Sequence, residues 1–527
     1  MAWISIILGI GGLYLLKIFL QDRNRTSMRA PLPPGPKPQF LVGNLKDLPK
    51  PGEREWEHWL KHKDLYSGIS SVTVMGQTLV IINDVKLAYE LMEKRSSFTS
   101  SRPKQYFAGE MLGWKNSLAF SPYSSRFRVM RKKVAKILGS QVAASHFSPL
   151  QEAEVGHFLL HLLESPENIM EHIRREAGTV ILRIAYGYNA ETHKNDPLID
   201  LAGDAMDQFG QAAVPGAWLV DVMPFLRYLP DWFPGTGFKR TAKEWARIVF
   251  ELKERPYALV KHQMAQGKYQ SSFLSALLEE GESNAEEASI NKWSAASLFS
   301  AGADTTVSSM ACFFLVMTLF PEVQRKAQQE IDQVIGSGRL PTFKDRANLP
   351  YIDAVVKEIF RWHPAAPMSL PHMTTEDDIC EGYLIPKGAY LLANIWWFGH
   401  DPTVYHDPMA FKPERFLATD NHTPEPDPHR LSFGFGRRIC PGRILADNTV
   451  YLNIVQSLAV FSISKVVENG REVDPEVKFL PGVVSHPAPY KTYIKPRSLK
   501  HEALIRSIEK THPWQESDAK KLETATY

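Results

Sequence analysis

The residues best equipped for chemistry stand at positions 433–442, which read FGFGRRICPG. Cys440 follows two glycines and two arginines and precedes Pro-Gly. Its thiolate is a soft anionic ligand suited to iron. Gly434 and Gly436 permit a tight turn and close backbone approach. That turn is expected to aim backbone N–H groups at the sulfur. Arg437 and Arg438 put positive charge beside it and suit the carboxylates of a bound ligand. A second constellation, Ala-Gly-Ala-Asp-Thr-Thr at 301–306, interrupts a long apolar run at 293–320. The run reads as a buried central helix, where an acid and two hydroxyls are costly unless paired or functional. Thr305 can hydrogen-bond back to the preceding turn and open a small groove. Asp304 can relay protons. A third group, Glu358-Ile-Phe-Arg361, sets an acid and a guanidinium on one helical face.

Taken together, Phe433, Gly436, Arg438, Cys440 and Gly442 resemble the haem-binding signature of the cytochrome P450 family. The resemblance implies haem b (iron protoporphyrin IX) with Cys440 as the axial metal ligand. It implies that Arg438 pairs with a haem propionate and that Phe433 packs near the sulfur. Gly302, Asp304 and Thr305 resemble the family's distal-helix motif. There Ala301 lies over the haem, and Asp304 and Thr305 are the catalytic pair beside a groove for dioxygen. Glu358 and Arg361 resemble the ExxR helix, and FKPERF at 411–416 resembles the PERF motif. Arg415 would then join Glu358 and Arg361 in a buried charge network with a structural role, holding the cysteine loop in register. Residues 121–131 resemble the third major helix. Arg131 matches its propionate-binding arginine, but Phe127 replaces the usual tryptophan and has no N–H to donate. His372 is a further propionate candidate. The implied substrate pocket takes Phe107, Met111 and Trp114 from the segment 100–115, Met368 and Leu370 ahead of His372, and Val483 and Val484 from the C-terminal loop.

Several elements must position these groups. The alternating stretches 69–74 and 77–82 flank Met75-Gly76 and predict a β-hairpin. Residues 85–94 read as helix, with Asp84 near its start. Residues 100–115, rich in glycine and aromatics and containing Pro103, are expected to be irregular. Residues 380–385 and 389–395 predict a second hairpin around Pro386-Lys-Gly388. Residues 2–20 are apolar apart from Lys17 and nearly long enough to cross a bilayer. Arg23, Arg25 and Arg29 follow, so the positive-inside bias sets the body in the cytoplasm. The proline-rich run 31–38 suppresses helix and reads as a rigid spacer. The expected organisation is an N-terminal membrane anchor at 1–21, a basic and proline-rich hinge at 22–38, a haem-thiolate catalytic domain at 39–500, and a solvated, partly disordered tail at 501–527. The resemblance implies a mainly α fold with a smaller β-rich region, the cytochrome P450 fold.

A net charge of +3 over 527 residues, with no basic block, argues against nucleic acid as a partner. Three widely spaced cysteines form neither a disulfide framework nor a zinc pattern, which suits a reducing compartment. The style of the motifs resembles fungal microsomal members of secondary metabolism. The function so implied is monooxygenation of an apolar small molecule, by C–H hydroxylation, at the endoplasmic reticulum membrane. Electrons would come from NADPH through NADPH–cytochrome P450 reductase, with cytochrome b5 as an optional second donor. The alternatives are a xenobiotic-oxidising enzyme, a reductase-independent haem-thiolate isomerase or dehydratase, and a non-enzymatic haem sensor.

Overall fold

The computed structural model describes residues 30–50 and 52–525. The expected anchor at 1–21 and the start of the hinge lie outside them. Among the described residues, one helix, Ala285–Leu319, is long and apolar enough to cross a membrane. It is mostly buried within the protein, as a core helix is.

The N-terminal hairpin pairs β1 (Ile69–Val74) with β2 (Gln77–Ile82). Met75 and Gly76 both take positive φ, +48° and +87°, as the tight two-residue turn requires. Strand β2 then pairs in parallel with β4 (Tyr390–Ala393), which also holds the short antiparallel β3 (His372–Met373). The sheet order is therefore β1-β2-β4-β3. Asn83 and Asn394 lock the join: Asn394 Nδ2 donates to Asn83 Oδ1 at 2.9 Å, and Asn83 Nδ2 donates to the Trp59 carbonyl at 3.0 Å.

The rest is largely helical. Helix α1 (Ser125–Leu138) begins where the Ser124 hydroxyl accepts from the Phe127 N–H. It buries Phe127, Met130, Val134 and Leu138 along one face. Helices α2 (Ser148–Glu164), α3 (Ile169–Tyr186), α4 (Pro197–Ala212) and α5 (Gly237–Ala265) surround the central α6 (Ala285–Leu319). Gly302 lets α3 and α6 approach closely, since a Cβ there would come within 2.7 Å of the Ile181 side chain. Helix α7 (Pro350–Trp362) and helix α8 (Arg443–Val460) flank the cysteine loop.

Three sequence expectations need correction. The hairpin expected around Pro386-Lys-Gly388 does not form: Tyr383–Ile385 pairs with Asp378–Cys380, while β4 turns away to join β2 and β3. Residues 100–115 are not wholly irregular, because Tyr106–Met111 forms a π-helical turn and Trp114–Asn116 a 3-10 turn. The Asp221 carboxylate accepts from the Tyr106 and Phe107 N–H groups and fixes that turn from outside. Residues 501–525 are not a solvated tail. Helix α9 (Leu499–Thr511) packs on α2 and buries Ile505 and Ile508. Beyond it, Trp514 stacks on His157 at 4.0 Å, and buried Asp518 accepts from the Asn189 N–H. The apolar spacing of α9 is short and sits among charges, so in the sequence its buried stripe reads as solvated. Burial of each isoleucine contributes roughly 1.5–3 kcal/mol. Removing residues 499–527 is therefore expected to lower the urea midpoint clearly. An unchanged midpoint would mean that the segment merely rests on α2.

Candidate active site

Helix α6 is buried along most of its length, but residues 301–305 open to solvent-accessible space in its middle. The Thr305 hydroxyl donates to the Ala301 carbonyl at 2.8 Å, the back-bond within the helix that its position suggested. Asp304 does not stand alone. Its Oδ1 meets His486 Nε2 at 2.9 Å.

The cysteine loop is built as a tight turn. Gly434 and Gly436 have φ of +77° and +54°, and a Cβ on Gly436 would meet the Met92 carbonyl oxygen at 2.5 Å. The Cys440 N–H donates to the Phe433 carbonyl at 2.8 Å. Burial pushes the Cys440 thiol up, while the N–H groups of Gly442 and Arg443 and the charges of Arg131 and Arg443 pull it down. The Phe433 ring lies against Phe360 and His429, with centroids 5.1 and 5.7 Å away.

Beside this loop sits a cluster of cations. Arg438 donates to the carbonyls of Ser100 (2.7 Å), Leu118 (3.3 Å) and Ser121 (2.6 Å). Its guanidinium lies 3.8 Å from the centre of the Phe127 ring. The phenylalanine that replaces a tryptophan thus supports the arginine with its face. Arg102 donates to the carbonyls of Ala119, Leu370 and Pro371 at 2.7–2.9 Å. Arg131, partly buried, makes no hydrogen bond or ion pair among the described residues. None of the three guanidinium groups meets a carboxylate there. Burial, aided by Arg102 and Arg131, pushes Arg438 down to about 8. Burial alone takes Arg102 down to about 9. His372 joins them: its Nδ1 bonds the Thr99 carbonyl at 3.0 Å, and burial with the charges of Arg102 and Arg438 holds it neutral. So much uncompensated positive charge calls for an anion. A dianionic group such as the propionate edge of haem fits this cluster.

Behind the loop, Glu358 and Arg361 form a bidentate pair at 2.6 and 2.8 Å, with both side chains fully buried. Arg415 Nε reaches Glu358 Oε1 at 3.1 Å and its Nη1 reaches Glu425 at 2.6 Å. Arg361 also donates to the carbonyls of Gly399, Pro408 and Ala410. Ser432, next to the loop, donates to the Phe360 carbonyl on the same helix at 2.8 Å.

The cytochrome P450 family profile matches residues 33–494. The chain belongs to the cytochrome P450 family. It is 49% identical over 519 residues to "Cytochrome P450 monooxygenase claR" of Ampulloclitocybe clavipes, covering 98% of this chain and 95% of that one. It is 44% identical to "O-methylsterigmatocystin oxidoreductase" of Aspergillus flavus and 43% identical to "Multifunctional cytochrome P450 monooxygenase af510" of Aspergillus fumigatus, with 96% and 95% of the two chains covered in each case. These relatives are fungal P450 monooxygenases of secondary metabolism, and the predominantly helical structure with small sheets is the P450 fold.

The pocket residues of this P450 divide. Met368 and Val483 line a small cavity of about 30 Å³ with Trp59, Leu79, Pro215 and Glu55. Met111, Leu370 and Val484 are partly buried against the larger core. Phe107 and Trp114 are packing residues, contrary to expectation. Phe107 is fully buried and stacks on Trp218 at 3.5 Å, and Trp114 packs edge-on against Phe209. Phe107 leaves no surface for a ligand to touch and Trp114 almost none, with its indole N–H buried and unpartnered among the described residues. Sequence reasoning missed three members of the site. Glu425 completes the charge network but lies outside every motif. Arg102 stands in Ser-Arg-Pro at the start of a segment considered only for its apolar side chains. His486 stands two residues after the valines proposed for the pocket, and a histidine near an acid in space leaves no mark in one sequence.

Proposed function

We propose that this P450 is a reductase-dependent haem-thiolate monooxygenase that hydroxylates C–H bonds of a small apolar molecule in fungal secondary metabolism. The observation that carries the reading is the opening of buried helix α6 at residues 301–305, where Asp304 and Thr305 stand. Cys440 would hold the haem iron through its sulfur, at which the Gly442 and Arg443 N–H groups are directed. Arg102, Arg131 and Arg438 would hold the propionates, and His372 would close the cluster. A carboxylate arriving there favours the proton that His372 lacks in isolation. Haem, when bound, supplies the redox chemistry and dioxygen activation. The protein positions substrate, excludes water and delivers protons.

Met111, Leu370, Val483 and Val484 are partly buried apolar side chains on the same core as Ala303 of the α6 opening, which supports an apolar substrate. The segment around 215–234 exposes Leu219, Tyr228, Trp232 and Phe233, which supports contact with the endoplasmic reticulum membrane. Arg128 and Lys132 are exposed on α1, the same helix that carries Arg131. That basic strip suits an acidic electron donor, NADPH–cytochrome P450 reductase, with cytochrome b5 as a second donor. The test is microsomal expression with reductase, followed by a spin-shift screen of terpenoids, fatty acids and aromatics. NADPH-dependent oxygenation of a spin-shifting compound supports the reading. NADPH-independent turnover supports an isomerase instead.

Thr305→Ala gives a sharper prediction. The hydroxyl stands at the helix opening with its own proton engaged by Ala301, so its oxygen remains free to accept. A methyl group cannot hold water there. Proton-transfer groups typically contribute ~10²–10⁴-fold, and neighbouring Asp304 and Thr306 compensate in part. T305A is expected to load haem and consume NADPH, but to release more hydrogen peroxide and less oxidised product per NADPH. Unchanged coupling would make Thr305 structural.

A further inference from the structure

We infer that His486 is the positioning and proton-entry partner of Asp304, the residue through which solvent protons reach the α6 opening. This rests on the monooxygenase reading above. His486 Nε2 lies 2.9 Å from Asp304 Oδ1. The loop that carries it is pinned on both sides. The Ser308 hydroxyl of α6 donates to the Ser485 carbonyl at 2.6 Å, and the Ser485 N–H donates to the Ala365 carbonyl at 2.9 Å. His363 Nε2 meets the Ser485 hydroxyl at 3.0 Å, and the Leu480 N–H donates to the His486 carbonyl at 2.8 Å. The imidazole is therefore held against Asp304 by a rigid loop.

Its other nitrogen is the second observation. His486 Nδ1 is buried and has no hydrogen-bond partner within the protein. Buried polar atoms are almost always satisfied, by protein or by ordered water. An imidazole with one nitrogen on a carboxylate and the other on water is arranged to pass protons through its ring. The groups that face it come from four elements. Asp304 is on α6, exposed Asp207 on α4 with Arg174 on α3 beside it, and His363 follows α7. Partial burial and the charge of Asp304 hold the Asp207 carboxyl above its usual range, while Arg174 and His486 oppose that shift. The two carboxylates and the imidazole thus share one electrostatic field running from the exposed face of α4 toward the helix opening.

The step balances in protons. His486 starts with its proton on Nε2, gains one from water at Nδ1 and passes the first to Asp304. Tautomer exchange through water resets the ring. Dioxygen is the oxidant and NADPH the reductant. One NADPH and one solvent proton reduce dioxygen to hydrogen peroxide, whereas two NADPH and two solvent protons reduce it to two waters.

The test uses the haem-loaded full-length protein with reductase, NADPH and dioxygen, and no organic substrate. The readout is the ratio of peroxide to NADPH consumed, followed between about pH 5 and 8, where imidazoles change charge. His486→Gln keeps an amide N–H for Asp304 but cannot relay a proton. H486Q is expected to raise peroxide per NADPH at least about twofold and to flatten its pH profile, with an unchanged carbon monoxide spectrum. A ratio and pH profile equal to wild type overturn the inference and leave the monooxygenase reading standing. If H486Q fails to load haem, His486→Asn, which keeps Asp304 and an amide at the same position, carries the same comparison and the same criterion. A wild-type protein that takes no electrons from the reductase overturns the monooxygenase reading and the inference with it.

Discussion

Cys440→Ala is expected to abolish the carbon monoxide band that the reduced haem protein should show near ~450 nm, because thiolate ligation tunes the iron electronically. The loop prepares the sulfur for that role. Two backbone N–H groups and the charges of Arg131 and Arg443 oppose the burial that would otherwise keep the thiol protonated. The substitution is small, and the turn does not depend on the sulfur. The Cys440 N–H still reaches the Phe433 carbonyl, and Gly436 still fits beneath the Met92 carbonyl. The arginine cluster is untouched, so C440A should retain some haem while losing the thiolate signature. The measurement is the reduced-plus-carbon-monoxide difference spectrum of purified wild type and C440A at equal haem. A C440A protein with the same band would refute Cys440 as the ligand.

Glu358→Ala is expected to be the most destabilising single change among the site's supports. Arg361 and Arg415 both depend on Glu358, and the three side chains are at most 3% exposed. The Lys412 N–H also donates to Glu358 Oε1 at 2.7 Å. Removing the acid leaves two guanidinium groups buried against carbonyls, with Glu425 reaching only Arg415. Breaking such a buried network costs about 3–5 kcal/mol, a large share of the ~5–15 kcal/mol that holds a typical protein folded. Urea midpoint and haem bound per chain should both fall. Glu414→Gln is the control. Its contact with Lys326 is as short, 2.6 Å, but half exposed, and such pairs contribute under ~1 kcal/mol. Equal effects of the two substitutions would contradict a structural role for the buried network.

Much of this molecule was legible in one sequence, for identifiable reasons. The hairpin could be read to the residue because its turn needs positive φ at Met75 and Gly76 and its strands alternate around it. The three chemical constellations could be read because each packs unusual residue types into a few positions: glycines around Cys440, an acid and hydroxyls inside an apolar helix, Glu358 three residues before Arg361. Pairings across long separations were not legible. Asp304 and His486 lie 182 residues apart, and nothing local marks either as the other's partner. Arg102 joins the cation cluster only because β3 carries His372 beside residues 99–101. Phe107 and Trp114 show the opposite error. Their place in the chain suggested a ligand-facing loop, but Trp218 and Phe209 cover them first. The C-terminal region misled because charge dominates its composition while Ile505 and Ile508 carry its packing.

The parallel pairing of β2 with β4 has a consequence for how the protein is made. Strand β2 ends at residue 82, and its partner ends at residue 393. At ~5–20 residues per second, β2 leaves the ribosome about 15–60 s before β4 exists to pair with it. Helix α2 waits longer still for α9 to cover it. Throughout that interval Val80, Ile81 and Ile82, wholly buried in the finished protein, lack the strand that completes their sheet. An unpaired apolar strand edge is a template for aggregation. The early third of this chain therefore carries that exposure for most of its synthesis, and the haem site, whose cysteine emerges later than either strand, forms only after it has ended.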